Sequence, residues 1–297
     1  MIFKLLARIY TAGATYNVAA RKMLGLLGRN FSITSDMLGE FTGDITSINS
    51  VVKEYCGHII VLGYWQRHFK KQEVSLAIKP SCIGLEHSYG VFQKNLHILA
   101  VAAKKAGVFL WVDAEKRGNR DIVSESIIRE RALGVDNIGQ AIQCVHSDAK
   151  KFVMKLLKWN IAIRFVKGAY TDSDLKNDID IVENFKDCFW LALHHCKNSA
   201  EKSTVAVATH DKRLIDYALR FREIDTELRP FIQIQMLYGI RVKLQRELVV
   251  SDSNILIYIP WGTDSIGFLK RRLAEGIRPS AIWLFVRNIF ETWRYQF

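Results

Sequence analysis

The sequence predicts an α/β chain closed into a (β/α)8 barrel with helices at its N-terminus. Three observations carry this. Short β-rich runs alternate with helix-length segments along most of the 297 residues, which calls for a parallel sheet with right-handed crossovers. Eight such units are present, and eight units in a chain of this length match a closed barrel. No GxGxxG follows any strand and no GxxxxGK[ST] occurs. An open doubly wound sheet, the alternative, would be expected to carry a glycine fingerprint at its first strand–helix turn.

The elements follow in order. Residues 1–30, MIFKLLARIYTAGATYNVAARKMLGLLGRN, are amphipathic and basic, and the chain is free of acids until Asp36. Taken alone this segment has the features of a mitochondrial transit peptide. The other reading is a mature pair of helices packed on the barrel, broken at Gly13. The barrel is expected over 31–281. Its strand candidates are FSITSDMLGE (31–40), EVSLAIKPS (73–81), GVFLWVDAE (107–115), NIGQAIQCV (137–145), NIAIRFVKGAY (160–170), STVAVATHD (203–211), PFIQIQMLYGI (230–240) and NILIYIPWG (254–262). Each precedes a helical pattern, as in YGVFQKNLHILAVAAKKAG (89–107) and DIDIVENFKDCFWLALHHCKN (178–198). Residues 282–297, IWLFVRNIFETWRYQF, end the sequence as an aromatic helix.

Composition narrows the function classes. With 49% hydrophobic residues, 24% charged, 4 prolines and 18 glycines, the chain is neither disordered nor of low complexity. Five scattered cysteines, an odd number, fit free thiols in a reducing compartment. His194, His195 and Cys196 adjoin, but on a helix neighbours point different ways, so they are read as structural and no metal site is expected. No apolar run approaches the ~20 residues of a membrane-spanning helix. The net charge of +12 suits a soluble basic surface, nucleic acid, an anionic membrane or an anionic cofactor. Zinc-finger spacings, RNP-like aromatics and long Lys/Arg blocks are all missing, so nucleic acid is not expected as a partner.

The strands turn polar at their C-terminal ends, where a barrel carries its function. Lys79 ends the second, Asp113 and Glu115 the third, and Gln143 the fourth. The fifth carries Arg164, Lys167 and Tyr170. The sixth ends in Thr209, His210 and Asp211, the seventh carries Gln235 and the eighth Tyr258. Arg164 and Lys167 lie inside an apolar run, and burying a charge without a partner is costly, so each needs an anionic or electron-rich group to meet. In LKRRLAE, Glu275 lies four residues from Arg271 and three from Arg272, so one carboxylate can orient both guanidiniums on a helix. Paired planar forks suit a carboxylate ligand. A solvated helix face is the bland alternative.

DMLGE (36–40), AIKPSCIGL (77–85), WVDAE (111–115), AIQ (141–143), IRFVKGAY, VAVATHD, QIQMLYGI and YIPWGTDSIGFLKRRLAEG (258–276) occur together and in order. This series resembles the proline dehydrogenase family, and the opening RIYTAGATYNVAARKMLGLLGRNFSIT is similar to the family's first helices, which weakens the transit-peptide reading. The resemblance implies a TIM-type barrel holding FAD non-covalently. It implies oxidation of L-proline to Δ1-pyrroline-5-carboxylate, with hydride passing from proline C5 to flavin N5 and electrons going on to a quinone. By the same resemblance Lys79, Arg271 and Arg272 hold the substrate carboxylate with Glu275 beside them. Asp113 pairs with Lys79 or steers that network, and Tyr170, Leu237 and Tyr258 box the ring. Arg164 is implied at flavin N5, where a fixed cation stabilises developing charge. Val166, Lys167, Gly168, Ala169, Gln143, Thr209, His210, Asp211, Gln235 and Glu275 are the implied cofactor contacts.

Three positions depart from the family pattern. Asp211 stands where ATHN has an amide, and an anion there is expected to weaken cofactor binding unless it meets ribose hydroxyls. Gln233 replaces a frequent acid, and Thr171 a tryptophan of some members. Tyr258 crowds ring C4 in this family, so proline is expected over hydroxyproline. The alternatives are a hydroxyproline dehydrogenase, another flavin barrel such as a methylenetetrahydrofolate reductase, and a non-catalytic paralogue. The chain reads as monofunctional and cytoplasmic, or as a matrix protein in a eukaryote. The basic aromatic tail leaves open a peripheral membrane contact beside plain packing, the packing being favoured.

Overall fold

The computed structural model describes residues 9–39, 43–168, 173–251 and 253–264. Its strands are β1 (Ser32–Leu38), β2 (Val74–Ile78), β3 (Phe109–Val112), β4 (Ile138–Gln143), β5 (Ala162–Val166), β6 (Val205–Ala208), β7 (Ile232–Leu237) and β8 (Ile255–Gly262). They form a closed barrel in the order β1 to β8. Each falls inside one of the eight predicted runs. The polar tails of several runs lie just past the strand: Lys79 after β2, Asp113 after β3, Lys167 after β5, and Thr209, His210 and Asp211 after β6.

The described helices are α1 (Tyr16–Leu27), α2 (Ile45–His68), α3 (Tyr89–Ala106), α4 (Arg120–Ala132), α5 (Ala149–Leu157), α6 (Asp178–Asn198), α7 (Lys212–Ile224) and α8 (Val242–Val250). Their starts follow local chemistry. Asp44, Ser88, Asn177 and Asp211 each accept a hydrogen bond from an N–H of the first turn of α2, α3, α6 and α7. Three strands are preceded by an asparagine in the left-handed region, Asn30, Asn160 and Asn254, a conformation asparagine tolerates better than most residues. Arg241, in the same region at 52°, precedes α8.

By contacts the chain divides into two compact units, Met1–Glu40 with Gln235–Phe297, and Phe41–Ile234. In the first, β1 pairs with β8 in parallel register, Thr34 opposite Tyr258. Trp261 donates its indole N–H to Ser35 Oγ at 2.9 Å, and the Tyr16 ring meets that indole edge-on at 5.3 Å, so α1 packs on this strand pair. In the second unit β2 to β6 run parallel, with Trp111 opposite Gly139, Gly139 opposite Ala162, and Arg164 opposite both Ala141 and Ala206. Side chains alternate along each strand, so Trp111 shares a face with Asp113, Ala162 with Arg164, and Gly139 with Gln143.

All five cysteines are free thiols. His195 Nε2 donates to Asn160 Oδ1 at 3.1 Å, Cys196 Sγ bonds the Ser203 carbonyl and His194 stacks on Trp190, which is the structural role expected of that trio. Among the described residues no helix is long and apolar enough to cross a membrane.

Candidate active site

Arg164 occupies the interior of the second unit because its strand neighbours leave room: Ala141 and Ala206 flank it in register. Its side chain is 3% exposed. Nη1 donates to Asp113 Oδ1 at 2.9 Å, and the guanidinium carbon lies 4.5 Å from the centre of the Trp111 ring. The buried charge on β5 therefore meets a carboxylate and an aromatic face. Asp113 is held in turn by its own N–H, which donates to the Ile78 carbonyl at 3.0 Å and carries the β2–β3 pairing one residue past the strand.

The second cation of that run is also answered. Lys167 Nζ donates to Asp178 Oδ1 at 2.6 Å and to Asp211 Oδ2 at 3.1 Å. Arg213 bonds the same two carboxylates, through Nε to Asp211 Oδ1 at 2.9 Å and through Nη2 to Asp178 Oδ2 at 2.7 Å. Two cations and two anions make a closed, neutral square at the ends of β5 and β6. Burial alone would raise Asp211, but the hydrogen bonds from Arg213 and Lys167 outweigh it and bring the carboxyl down to about 2. Hydrogen bonds from Lys167 and then Arg213 lower Asp178 as well. Asp211 also caps α7, and its own N–H donates to Thr209 Oγ1 at 3.1 Å.

At the end of β4 the Gln143 amide spans two loops. Nε2 donates to the Glu115 carbonyl at 3.3 Å, and Oε1 accepts from His146 Nε2 at 2.9 Å. Glu115 accepts from the backbone and hydroxyl of Ser81, at 2.7 and 2.6 Å. Asp174, beyond β5, accepts from Ser147 N, Ser147 Oγ and Arg117 Nη2. Burial would raise its carboxyl, but these donors hold it well below the ordinary carboxylate range. Gly168 has φ +111°, and a Cβ there would come within 2.4 Å of Val145 Cγ2, so only glycine fits. Val145 N–H donates to the Lys167 carbonyl at 2.8 Å, which explains the close approach.

The other predicted residues are located as follows. Val166, the last residue of β5, is half-buried and accepts from Cys144 N–H at 2.8 Å. Lys79 and His210 are half-buried just past β2 and β6. In the first unit Gln235 is buried, while Leu237 and Tyr258 are half-buried, and the Tyr258 carbonyl accepts from Tyr238 N–H at 2.9 Å. Ala169, Tyr170, Arg271, Arg272, Glu275 and the tail 282–297 lie outside the described residues. Trp111, His146, Asp174, Asp178 and Arg213 were not singled out from sequence. Strand alternation could have found Trp111, two residues before Asp113. Asp178 and Arg213 lie in the first turns of α6 and α7, where a charged residue carries no signal of a partner on another element. Among the described residues no cluster of three His, Cys, Asp or Glu could hold a metal.

A closed eight-stranded barrel with charged and polar side chains gathered at its strand ends is the build of a barrel enzyme. The family model described as "Proline dehydrogenase" matches residues 19–281. The chain belongs to the proline dehydrogenase family and is an oxidoreductase. Proline dehydrogenase 1 of Bacillus subtilis is 28% identical over 290 residues, covering 96% of this chain and 91% of that one. Proline dehydrogenase 2 of the same organism is 26% identical, covering 91% and 86%. Proline dehydrogenase of Deinococcus radiodurans is 28% identical, covering 93% and 88%. Among solved structures, proline utilization A from Bdellovibrio bacteriovorus, inactivated by N-propargylglycine, is similar with a TM-score of 0.83 at 18% identity. Proline utilization A from Bradyrhizobium japonicum gives 0.70 at 19%. The alignments cover 94% and 89% of this chain and about a third (33% and 32%) of those chains, and at such identity the likeness concerns the fold.

Proposed function

We propose that this chain oxidises L-proline to Δ1-pyrroline-5-carboxylate using non-covalently bound FAD, with a quinone as final acceptor. The observation that carries the reading is the buried Arg164, held by Asp113 and stacked on Trp111. A fixed guanidinium in a dry interior favours a cofactor that becomes more negative on reduction, and it needs no reorganisation when that charge arrives. The polar side chains at the strand ends, Gln143 closing β4 and Thr209 and His210 just past β6, suit the polar edge of such a cofactor. The glycine at 168 suits close approach of its backbone.

FAD, when bound, supplies the two-electron acceptor for the hydride leaving proline C5. The chain's own residues bind and orient. Lys79, Arg271 and Arg272 hold the proline carboxylate, and Glu275 orients the two guanidiniums. Tyr170, Leu237 and Tyr258 enclose the pyrrolidine ring, and Tyr258 disfavours a hydroxyl at C4. Arg164 faces the developing charge. Dehydrogenation needs the proline amine neutral, and a cationic pocket favours that form over the ammonium. Asp211 offers no bare charge to the cofactor, because Lys167 and Arg213 neutralise it.

The test is a visible spectrum of the purified protein before and after anaerobic L-proline. Flavin bands that bleach with proline support the reading. Bands that ignore proline and bleach with NADH would move it to the reductase class, and absence of flavin after reconstitution with FAD would end it.

A further inference from the structure

We infer that Trp111 is a positioning residue: its indole sets the orientation of the Arg164 guanidinium and thereby tunes the site. The inference rests on the reading of Arg164 as the cation beside the cofactor's reactive edge.

Four observations support it. The indole is fully buried in the barrel interior, in a cluster with Ala162 and Ala206 and against Phe109, whose ring centre lies 4.8 Å away. Its strand neighbour is Gly139, where a Cβ would come within 2.6 Å of indole Cζ3 and 2.8 Å of Cε3. β4 thus carries no side chain where the indole lies. The indole N–H is anchored, donating to Glu73 Oε1 at 3.1 Å, and Glu73 Oε2 accepts from Gln233 Nε2 at 3.0 Å. Its face carries Arg164 at 4.5 Å, while Asp113 takes Nη1.

The plain alternative is a tryptophan that only fills space. Space-filling needs no hydrogen bond to a carboxylate that is itself bonded to a third strand. Nor does it account for a charged group on the face. An arginine side chain has four soft torsions, and the hydrogen bond to Asp113 is made at Nη1, at one corner of the guanidinium plane. A flat, anchored ring against its face restricts the plane of the group, because cation–π attraction favours a position over the ring. The carboxylate at the indole N–H also enriches the ring in electrons, which strengthens the hold on the cation. The chain Gln233–Glu73–Trp111–Arg164–Asp113 thus transmits rigidity along the barrel interior to the reacting end, the arrangement a precise site requires.

Two variants separate the readings in FAD-reconstituted protein. Trp111→Leu removes the face, whereas Trp111→Phe keeps a face and loses the N–H. Trp111→Leu should lower kcat for proline about tenfold with KM changed by less than about threefold, and shift the flavin midpoint potential to more negative values. Trp111→Phe should fall between it and wild type. A readout independent of turnover is the side-chain Nε–H resonance of Arg164 in 15N-arginine-labelled protein, assigned by its absence in Arg164→Lys. The indole ring current should displace it in wild type, and the displacement should vanish in Trp111→Leu. Wild-type kcat and potential in Trp111→Leu, or an Arg164 resonance that does not move, would overturn the proposal. Should Trp111→Leu fail to fold, Gly139→Ala, which pushes on the indole, must shift both the resonance and the potential for the proposal to stand. A wild type that binds no FAD would sink the cofactor reading instead, and the resonance would still report on the pedestal.

Discussion

Lys167 stands 3.1 Å from Asp211, so the cation expected at the cofactor's periphery and the anion expected to disturb it meet each other. With Asp178 and Arg213 they close a neutral square across the ends of β5 and β6. The Asp211 carboxyl is lowered from 3.8 to about 2 in the folded chain. A depressed carboxyl contributes stability that is present above its unfolded value and is lost as pH falls through the folded one. Asp211→Asn keeps the cap on α7 but removes the charge. Its melting temperature should be lower than wild type at pH 7, and the gap should close between about pH 4 and pH 2. Parallel melting curves across that window would refute the role.

Asp113 and Arg164 should be energetically coupled. Asp113→Ala leaves a buried guanidinium without its carboxylate, at a cost of roughly 3 kcal/mol in urea unfolding. In the double variant Asp113→Ala/Arg164→Met the loss should fall short of the sum of the single losses by at least about 1 kcal/mol. Simple additivity would mean the pair does not interact.

Gly168 should resist even alanine. The left-handed backbone costs a side chain about 1–2 kcal/mol, and contact with Val145 adds to it. Gly168→Ala should lower both the melting temperature and the FAD retained through dialysis. Val145→Ala in the same chain should restore part of each, since the clash is with the Val145 side chain. No recovery would show that the backbone alone is responsible.

Arg272→Ala tests the substrate end. Losing one charge-assisted partner of the carboxylate should raise proline KM roughly tenfold to a hundredfold while FAD stays bound. Loss of FAD with an unchanged KM would reassign the residue to the cofactor.

Much of the barrel was legible because its signals are local. Alternation of apolar and polar residues marks a strand from its own sequence, and helix starts such as Ser88 and Asn177 carry their caps with them. The rim was legible for a similar reason: Lys79, Asp113, Thr209 and His210 simply follow the last apolar residue of a strand. Trp111 is only partly legible: alternation puts it on the face of Asp113, but an indole beside Val112 reads as ordinary core and no local pattern shows that Arg164 lies over its ring.

By itself, then, the sequence determined the order of strands and helices, the family, and the stock of charged residues at the barrel mouth. Only the tertiary structure decided which of them meet. Arg164 and Asp113 are 51 residues apart, Trp111 and Glu73 are 38 apart, and Lys167 and Asp211 are 44 apart. Such pairs depend on the register between parallel strands, and that register is set by how each helical crossover packs back on the sheet, a long-range balance that no local pattern records.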